Sequence, residues 1–397
     1  KVFPGSYTGH FYLGRIYAKQ NKLKQAETEF RKALKLRPDR TETRFELINI
    51  YKIRGKTKKV IGLYEEIMRS QADNVRAAME LGYYYHLQGE KKEAEKYLTK
   101  LGRRSQGEFE VIINVIQLYV DPQKFDEALV VINGMLKGAP DNPDIHHLAG
   151  ISYYGIKNND KALFHFEKVT QESRFFQDAV VHVAFIYQDQ GQNEKAIKFL
   201  HSSIVKVPDN SDFKYYLGTF YEEIEDYQRA VDHIKQAIEI EPDNPRYYFR
   251  LGVVYDKWNQ KDASIEIMQK VITLDPKHAN ALNYLGYTYA DLGRNLDEAE
   301  RLIKKALKYK PNDGYITDSL GWVYYKKGQF DKALEYIKKA VKLVPDDPIM
   351  LEHMGDVYRK LNDKPNALKY YQKSLKIKDK DKEALEEKIR QLKPTGS

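Results

Sequence analysis

The chain has 397 residues, 42% of them apolar and 31% charged, enough to bury a core along its whole length and to keep its surface soluble. Its formal charge of +9 is the small difference between 66 basic and 57 acidic residues, a mixture that coats exposed helix faces and does not form the basic patch of a nucleic-acid module. There is no cysteine, which excludes disulfides, thiolate metal sites and cysteine nucleophiles, and no apolar run approaches the roughly 18 residues that span a bilayer.

The first complete unit runs from residue 12 to 39. Leu13, Gly14 and Tyr17 recur at helical spacing, then Ala26, Phe30 and Ala33 do the same, and Pro38 closes the unit. Two amphipathic stretches joined by the polar turn Gln20-Asn21-Lys22 predict a helical hairpin. The small residue then returns at Gly82, Gly150, Gly218, Gly252, Gly286, Gly321 and Gly355, with Ile48, Ile116 and Ala184 at the intermediate positions. Three residues beyond each comes a tyrosine: Tyr17, Tyr51, Tyr85, Tyr119, Tyr153, Tyr187, Tyr221, Tyr255, Tyr289, Tyr324 and Tyr358. The alanine of the second helix and a closing proline recur as well, Ala230 and Pro242 among them. Glycine and alanine let two helices approach closely, a tyrosine fills the wedge between hairpins, and proline stops the second helix.

Units two to four, over residues 41–140, fit this pattern least and predict a softer or bent stretch. The turn near Gly293-Arg294-Asn295 is one residue longer than the rest. About eleven units fill residues 7–380. Ala384, Leu385, Ile389 and Leu392 then mark a helix over 381–393 that caps the last hairpin, and 394–397 read as an added tail. No linker divides the array.

These residues, in this order and at a period of about 34, resemble the tetratricopeptide repeat (TPR). The resemblance implies an all-α, right-handed superhelical solenoid whose inner wall is made by the first helix of each unit. It also implies a scaffold for protein or peptide partners, without a cofactor, a metal or a small-molecule substrate. The family's inward positions fall here on Phe11, Arg15, Phe45, Asn49, Met79, Tyr83, His147, Phe185, Tyr215, Phe249, Asn283, Tyr287, Asp318 and Trp322. Some of these rings are expected to pack between units, and the remainder to anchor apolar side chains of an extended peptide or a helix. Arg246 and Arg250 resemble one part of the carboxylate clamp of chaperone-binding members. Val181, Phe185 and Tyr216 stand where its other parts would be, so the clamp is incomplete.

Nothing in the sequence points to catalysis. His146 and His147 are adjacent, about 100° apart on a helix, and cannot share a metal as an i, i+4 pair could. Acidic pairs such as Glu222-Glu223 lie on charged helices, and there is no phosphate loop or nucleophile elbow.

Residues 281–341 are more particular. Asn283-Tyr284-Leu285-Gly286-Tyr287 followed by Asp318-Ser319-Leu320-Gly321-Trp322 resembles a pair of units in bacterial outer-membrane TPR lipoproteins, adaptors that present cell-wall hydrolases to a C-terminal-processing protease. This resemblance implies a periplasmic location and a lipid anchor upstream of residue 1, in place of a cytoplasmic one. Two alternatives stand beside it. One is a TPR subunit of an exopolysaccharide-export, pilus-assembly or organelle-organising complex. The other is a solenoid that binds RNA or polysaccharide through stacked aromatics. Self-association through the groove is open to all of them.

Overall fold

A computed structural model describes residues 5–379 and 382–392, and all regular secondary structure among them is helical. Eleven helical hairpins follow one another in chain order. The first six are α1/α2 (Tyr7–Lys19, Leu23–Leu36), α3/α4 (Thr41–Ile53, Thr57–Ser70), α5/α6 (Val75–Leu87, Lys91–Arg104), α7/α8 (Phe109–Val115, Phe125–Leu136), α9/α10 (Pro143–Gly155, Asn159–Phe166) and α11/α12 (Phe176–Asp189, Asn193–Lys206). The next five are α13/α14 (Ser211–Glu223, Tyr227–Ile240), α15/α16 (Pro245–Lys257, Lys261–Leu274), α17/α18 (Ala279–Asp291, Leu296–Tyr309), α19/α20 (Gly314–Lys326, Phe330–Leu343) and α21/α22 (Pro348–Lys360, Lys364–Ile377). A further helix, α23 (Glu383–Leu392), lays Leu385 and Ile389 on Ala367 and Tyr371 of the hairpin before it. The tail at 394–397, and residues 380, 381 and 393, lie outside the described residues. The chain gathers into two compact units, Lys1–Ala196 and Ile197–Ser397, whose boundary falls inside α12.

The repeat residues do local work that the structure makes explicit. A Cβ on Gly82 would meet the Leu98 side chain at 2.5 Å, and one on Gly218 would meet the Ala230 carbonyl at 2.9 Å, so the second helix packs directly against the bare position in these hairpins. The tyrosine reaches back to the second helix of the preceding hairpin. Tyr85 donates to Glu65 (2.5 Å), Tyr187 to Glu167 (2.9 Å) and Tyr324 to Glu300 (3.1 Å), while Gln269 donates to Tyr289 (3.0 Å). A wedge ring with a tethered hydroxyl thus links adjacent units. The closing proline is followed two residues later by the N-cap of the next helix. Asn142, Asn210, Asn244, Asp313 and Asp347 each accept backbone N–H groups that the first turn leaves unpaired.

Each turn inside a hairpin contains one residue in the left-handed region, at Asn21, Gly55, Gly89, Gln123, Lys157, Gly191, Glu225, Asn259, Gly293, Gly328 and Asn362. The longer turn predicted near residue 295 is met by a second such residue, Asn295 at φ 52°.

Two irregularities bend the pattern in the first unit. The helix after α7 continues as a π-turn over Ile116–Val120, within the 41–140 stretch expected to depart from the repeat. Nearby, α6 and α8 approach backbone to backbone: a Cβ on Gly102 would lie 1.9 Å from the Met135 carbonyl and one on Gly138 2.1 Å from that of Thr99. The second irregularity is α10, only 8 residues long, with residues 167–175 leading irregularly into α11.

Candidate partner-binding site

In the first compact unit the inward positions divide between solvent and core. Arg15 and Asn49 are exposed, with Arg15 3.3 Å from Glu46. Phe45 and Tyr83 are half-buried. The Arg76 guanidinium lies 4.5 Å above the Phe45 ring, and Tyr83 leans on Tyr84 and Tyr119. Phe11 and Met79 are buried, Phe11 against Tyr7 and Phe30, so both pack between helices. Phe185 is half-buried. His147 is buried: its ring stacks on Phe175 at 4.4 Å and its Nε2 sits 2.6 Å from Asp178. His146 points elsewhere, with Nδ1 2.9 Å from His165 Nδ1 and Nε2 2.8 Å from the Pro140 carbonyl, as the 100° step between neighbours requires. Among the described residues no three His, Asp or Glu side chains converge as metal ligands.

In the second unit Tyr215 is buried under Arg246, whose guanidinium lies 4.2 Å from its ring. Arg246 also donates to Asp212 (3.1 Å) and to the Tyr216 hydroxyl (2.9 Å), and Arg250 faces Glu222 at 3.4 Å. The two arginines that resemble a fragment of a carboxylate clamp are therefore already answered by carboxylates within the fold. Phe249 is half-buried between His278 and Tyr284.

The remaining four positions come together. A cleft of about 240 Å³ runs across the first helices α17, α19 and α21, lined by Asn283, Tyr284, Tyr287, Tyr315, Asp318, Ser319, Asp347, Ile349, Met350 and His353. Three of the four sequence-predicted residues, Asn283, Tyr287 and Asp318, line it directly. The fourth, Trp322, lies behind the wall. It is only 9% exposed, with its indole stacked on His353 at 4.0 Å and on Tyr325 at 4.6 Å. Tyr315 (58% exposed) and Ile349 (54%), one repeat apart, form an apolar lip.

The floor is polar and buried. Asp318 is 5% exposed, and its Oδ2 pairs with His353 Nδ1 at 2.8 Å. Burial by itself lowers the His353 pKa, but Asp318, with Asp356 and Glu352 nearby, more than offsets it and holds the imidazole above its ordinary value. Burial also raises the Tyr287 hydroxyl, with Asp291, Asp318, Asp256 and Glu352 adding to it. Three buried atoms in this region have no hydrogen-bond partner: Asn283 Oδ1, Asp318 Oδ1 and the Trp322 indole N–H. His353, Tyr284 and the lip residues Tyr315 and Ile349 were not among the predicted groove residues. Tyr284 and His353 sit one position beyond Asn283 and its counterpart Glu352, and Tyr315 and Ile349 one helical turn before Asp318 and Glu352.

Sequence profiles described as tetratricopeptide repeat match residues 7–40, 187–251, 245–278, 267–301 and 319–382. A TPR repeat-containing protein of Pseudomonas aeruginosa is 51% identical over 51 residues, which is 13% of this chain and 9% of that protein, so the match spans a small part of the relative's length. Two solved structures share the fold. A tetratricopeptide repeat protein from Parabacteroides merdae has a TM-score of 0.52 at 14% identity, over 63% of this chain and 98% of its own. The APC/C hetero-tetramer Cut9-Hcn1 has a TM-score of 0.51 at 14% identity, over 98% and 90%. Hairpins of this period, with the bare glycine, the wedge tyrosine and the capped proline turn, and profiles that together match more than half of the chain, place it in the tetratricopeptide-repeat family.

Proposed function

We propose that the chain is a non-catalytic scaffold that takes a peptide segment of a protein partner in the cleft across α17, α19 and α21. We propose further that it serves at the periplasmic face of the outer membrane as an adaptor bringing substrates to a protease. One observation carries the binding site: an exposed apolar lip, Tyr315 and Ile349, stands over buried acceptors that the fold leaves unpaired, Asp318 Oδ1 and Asn283 Oδ1. Apolar anchoring with orientation by a few polar groups is how peptide grooves gain affinity and register. A preformed cleft on rigid helices also loses little ordering entropy on the protein side. The adaptor reading draws its support from the resemblance at residues 281–341, which supply α17 to α20 and so most of the cleft.

Affinity capture from a native cell envelope tests both levels, with the chain as bait and the Tyr315→Ala/Ile349→Ala variant as control. Both side chains stand in solvent, so the variant keeps its fold. Recovery of a protease or cell-wall hydrolase, lost with the variant, supports the adaptor. Secretion, pilus or organelle components lost in the same way keep the cleft but replace the adaptor reading. Recovery of nucleic acid or glycan alone, or of partners indifferent to the variant, sinks the peptide cleft.

A further inference from the structure

We infer that the α17–α19–α21 cleft is selective for a basic residue, holding a lysine or arginine side chain of the bound peptide with its N–H donors on Asp318 and its stem along Tyr287 and the Tyr315–Ile349 lip. The inference rests on the peptide-cleft reading and names what that cleft selects.

Three observations converge on it. First, the two unpaired atoms on residues that line the cleft are both acceptors, the unpaired Trp322 N–H lying behind the wall. Asn283 and Asp318 occupy the same repeat position in successive units, both line the cleft, and both keep a buried Oδ1 without a donor. A ligand that brings N–H groups answers both oxygens, whereas a carboxylate would face the Asp318 charge and leave Oδ1 unanswered. Second, the lining is acidic. Asp318 and Asp347 carry its formal negative charge, and His353 is the lining group that can turn positive. His353 Nδ1 is already spent on Asp318 Oδ2, so Oδ1 stays open to a second donor, as a carboxylate bridging two cations does. Asp347 turns its own Oδ1 to the N–H groups of Ile349 and Met350, which fixes the cleft wall and leaves Asp318 as the acid that receives the ligand. Third, the walls suit a long aliphatic stem with a charged end. Aromatic faces and Ile349 cover methylenes, and tyrosine faces attract a cation. The preference is the reverse of the family's carboxylate clamp, whose cationic positions here are tied up by Asp212 and Glu222.

Selection from a random heptapeptide display library on the whole chain tests the inference, run in parallel on the wild type, Asp318→Asn and Asn283→Asp. The Asn variant keeps the shape and one acceptor but removes the charge. The Asp variant, at a half-buried position, adds charge without touching His353. The expected result is enrichment of Lys or Arg at one peptide position with the wild type. Affinity of those peptides should weaken on the order of ten-fold with Asp318→Asn, and the enrichment should sharpen with Asn283→Asp. Peptides that bind with no basic preference, or with a preference that neither variant moves, overturn the inference and leave the peptide cleft standing. Failure to enrich any peptide overturns the cleft itself. Helical circular dichroism separates these outcomes from unfolding, and should Asp318→Asn unfold, Asn283→Asp carries the test alone.

Discussion

At Trp322 stability and binding separate. Its indole fills the space between His353 and Tyr325, so truncation leaves a cavity that neighbouring helices cannot close. Trp322→Ala should cost about 3–5 kcal/mol in urea unfolding, while Tyr315→Ala on the lip should stay within about 0.5 kcal/mol and weaken peptide binding. Equal stabilities for the two variants would show that Trp322 is not a core residue. A different residue pair weakens the fold around α9 and α10 in acid. Burial, with His146, Lys168 and Lys161 beside it, pushes the His165 pKa down to about 4, and burial lowers His146 as well. An unfolded histidine takes its proton near 6.5. Between that value and about 4 the unfolded chain therefore binds more protons than the folded one, and stability falls as the pH drops through this window. Amide protection factors in α9 and α10, corrected for the intrinsic exchange rate at each pH, should fall from pH 6.5 to 4, and His165→Gln should flatten that slope. A slope unaltered in the variant would remove the pair from the account.

At the scale of the element, the turn inside each hairpin imposes a left-handed residue at a fixed position, and the chain fills it unevenly. Gly55, Gly89, Gly191, Gly293 and Gly328 adopt it freely, whereas Gln123, Lys157 and Glu225 place a Cβ against the following carbonyl. Lys157→Gly and Glu225→Gly should each stabilise the protein by about 1 kcal/mol, seen as a rise in melting temperature, while Gly191→Ala should lower it. A fall in both glycine variants would mean that unfolded-chain entropy outweighs the relieved strain. The same positions explain what could be read in advance. Glycine, tyrosine and the closing proline act through their own shape at one point of each repeat, so their spacing revealed eleven hairpins and the long turn at Asn295. The π-turn at Ile116–Val120 carries no such mark, since Tyr119 keeps its register and Ile116 and Leu118 continue an apolar period. The short α10 is equally unmarked: Arg174 stands where a closing proline would, and Val169 is buried without a helix around it. In the site, Asn283, Tyr287 and Asp318 were legible because the repeat fixes which way they face. His353 was not, because its role arises from a contact with Asp318 that lies 35 residues away.

For the molecule as a whole, a repeat array holds together through nearest neighbours, and its ends need partners of their own. Here α23 is joined to the hairpin before it partly by charge. Glu352 and Asp356 of α21 are both held mostly out of water. Lys388 of α23 answers both, donating to Glu352 (2.9 Å) and Asp356 (2.8 Å), with Lys378 on Glu352 (3.0 Å) and the Tyr371 hydroxyl on Asp356 (2.6 Å). Removing the ammonium leaves two half-answered carboxylates beside His353. Lys388→Met keeps an unbranched stem of similar length and removes only the ammonium, which also lies 5.6 Å from the Tyr371 ring, so the variant isolates the charge. It should cost about 1–3 kcal/mol, less than a fully buried pair because Lys388 keeps contact with water. Because the contacts that α23 makes are with the last hairpin, the loss should stay local. Hydrogen exchange should rise in α21, α22 and α23, reach α19 weakly through the Asp318–His353 pair, and leave α1 to α10 as in the wild type. Uniform deprotection along the chain would show that the array unfolds as one cooperative body, and the Lys388 contacts would then be setting global stability rather than holding α23 to its neighbour.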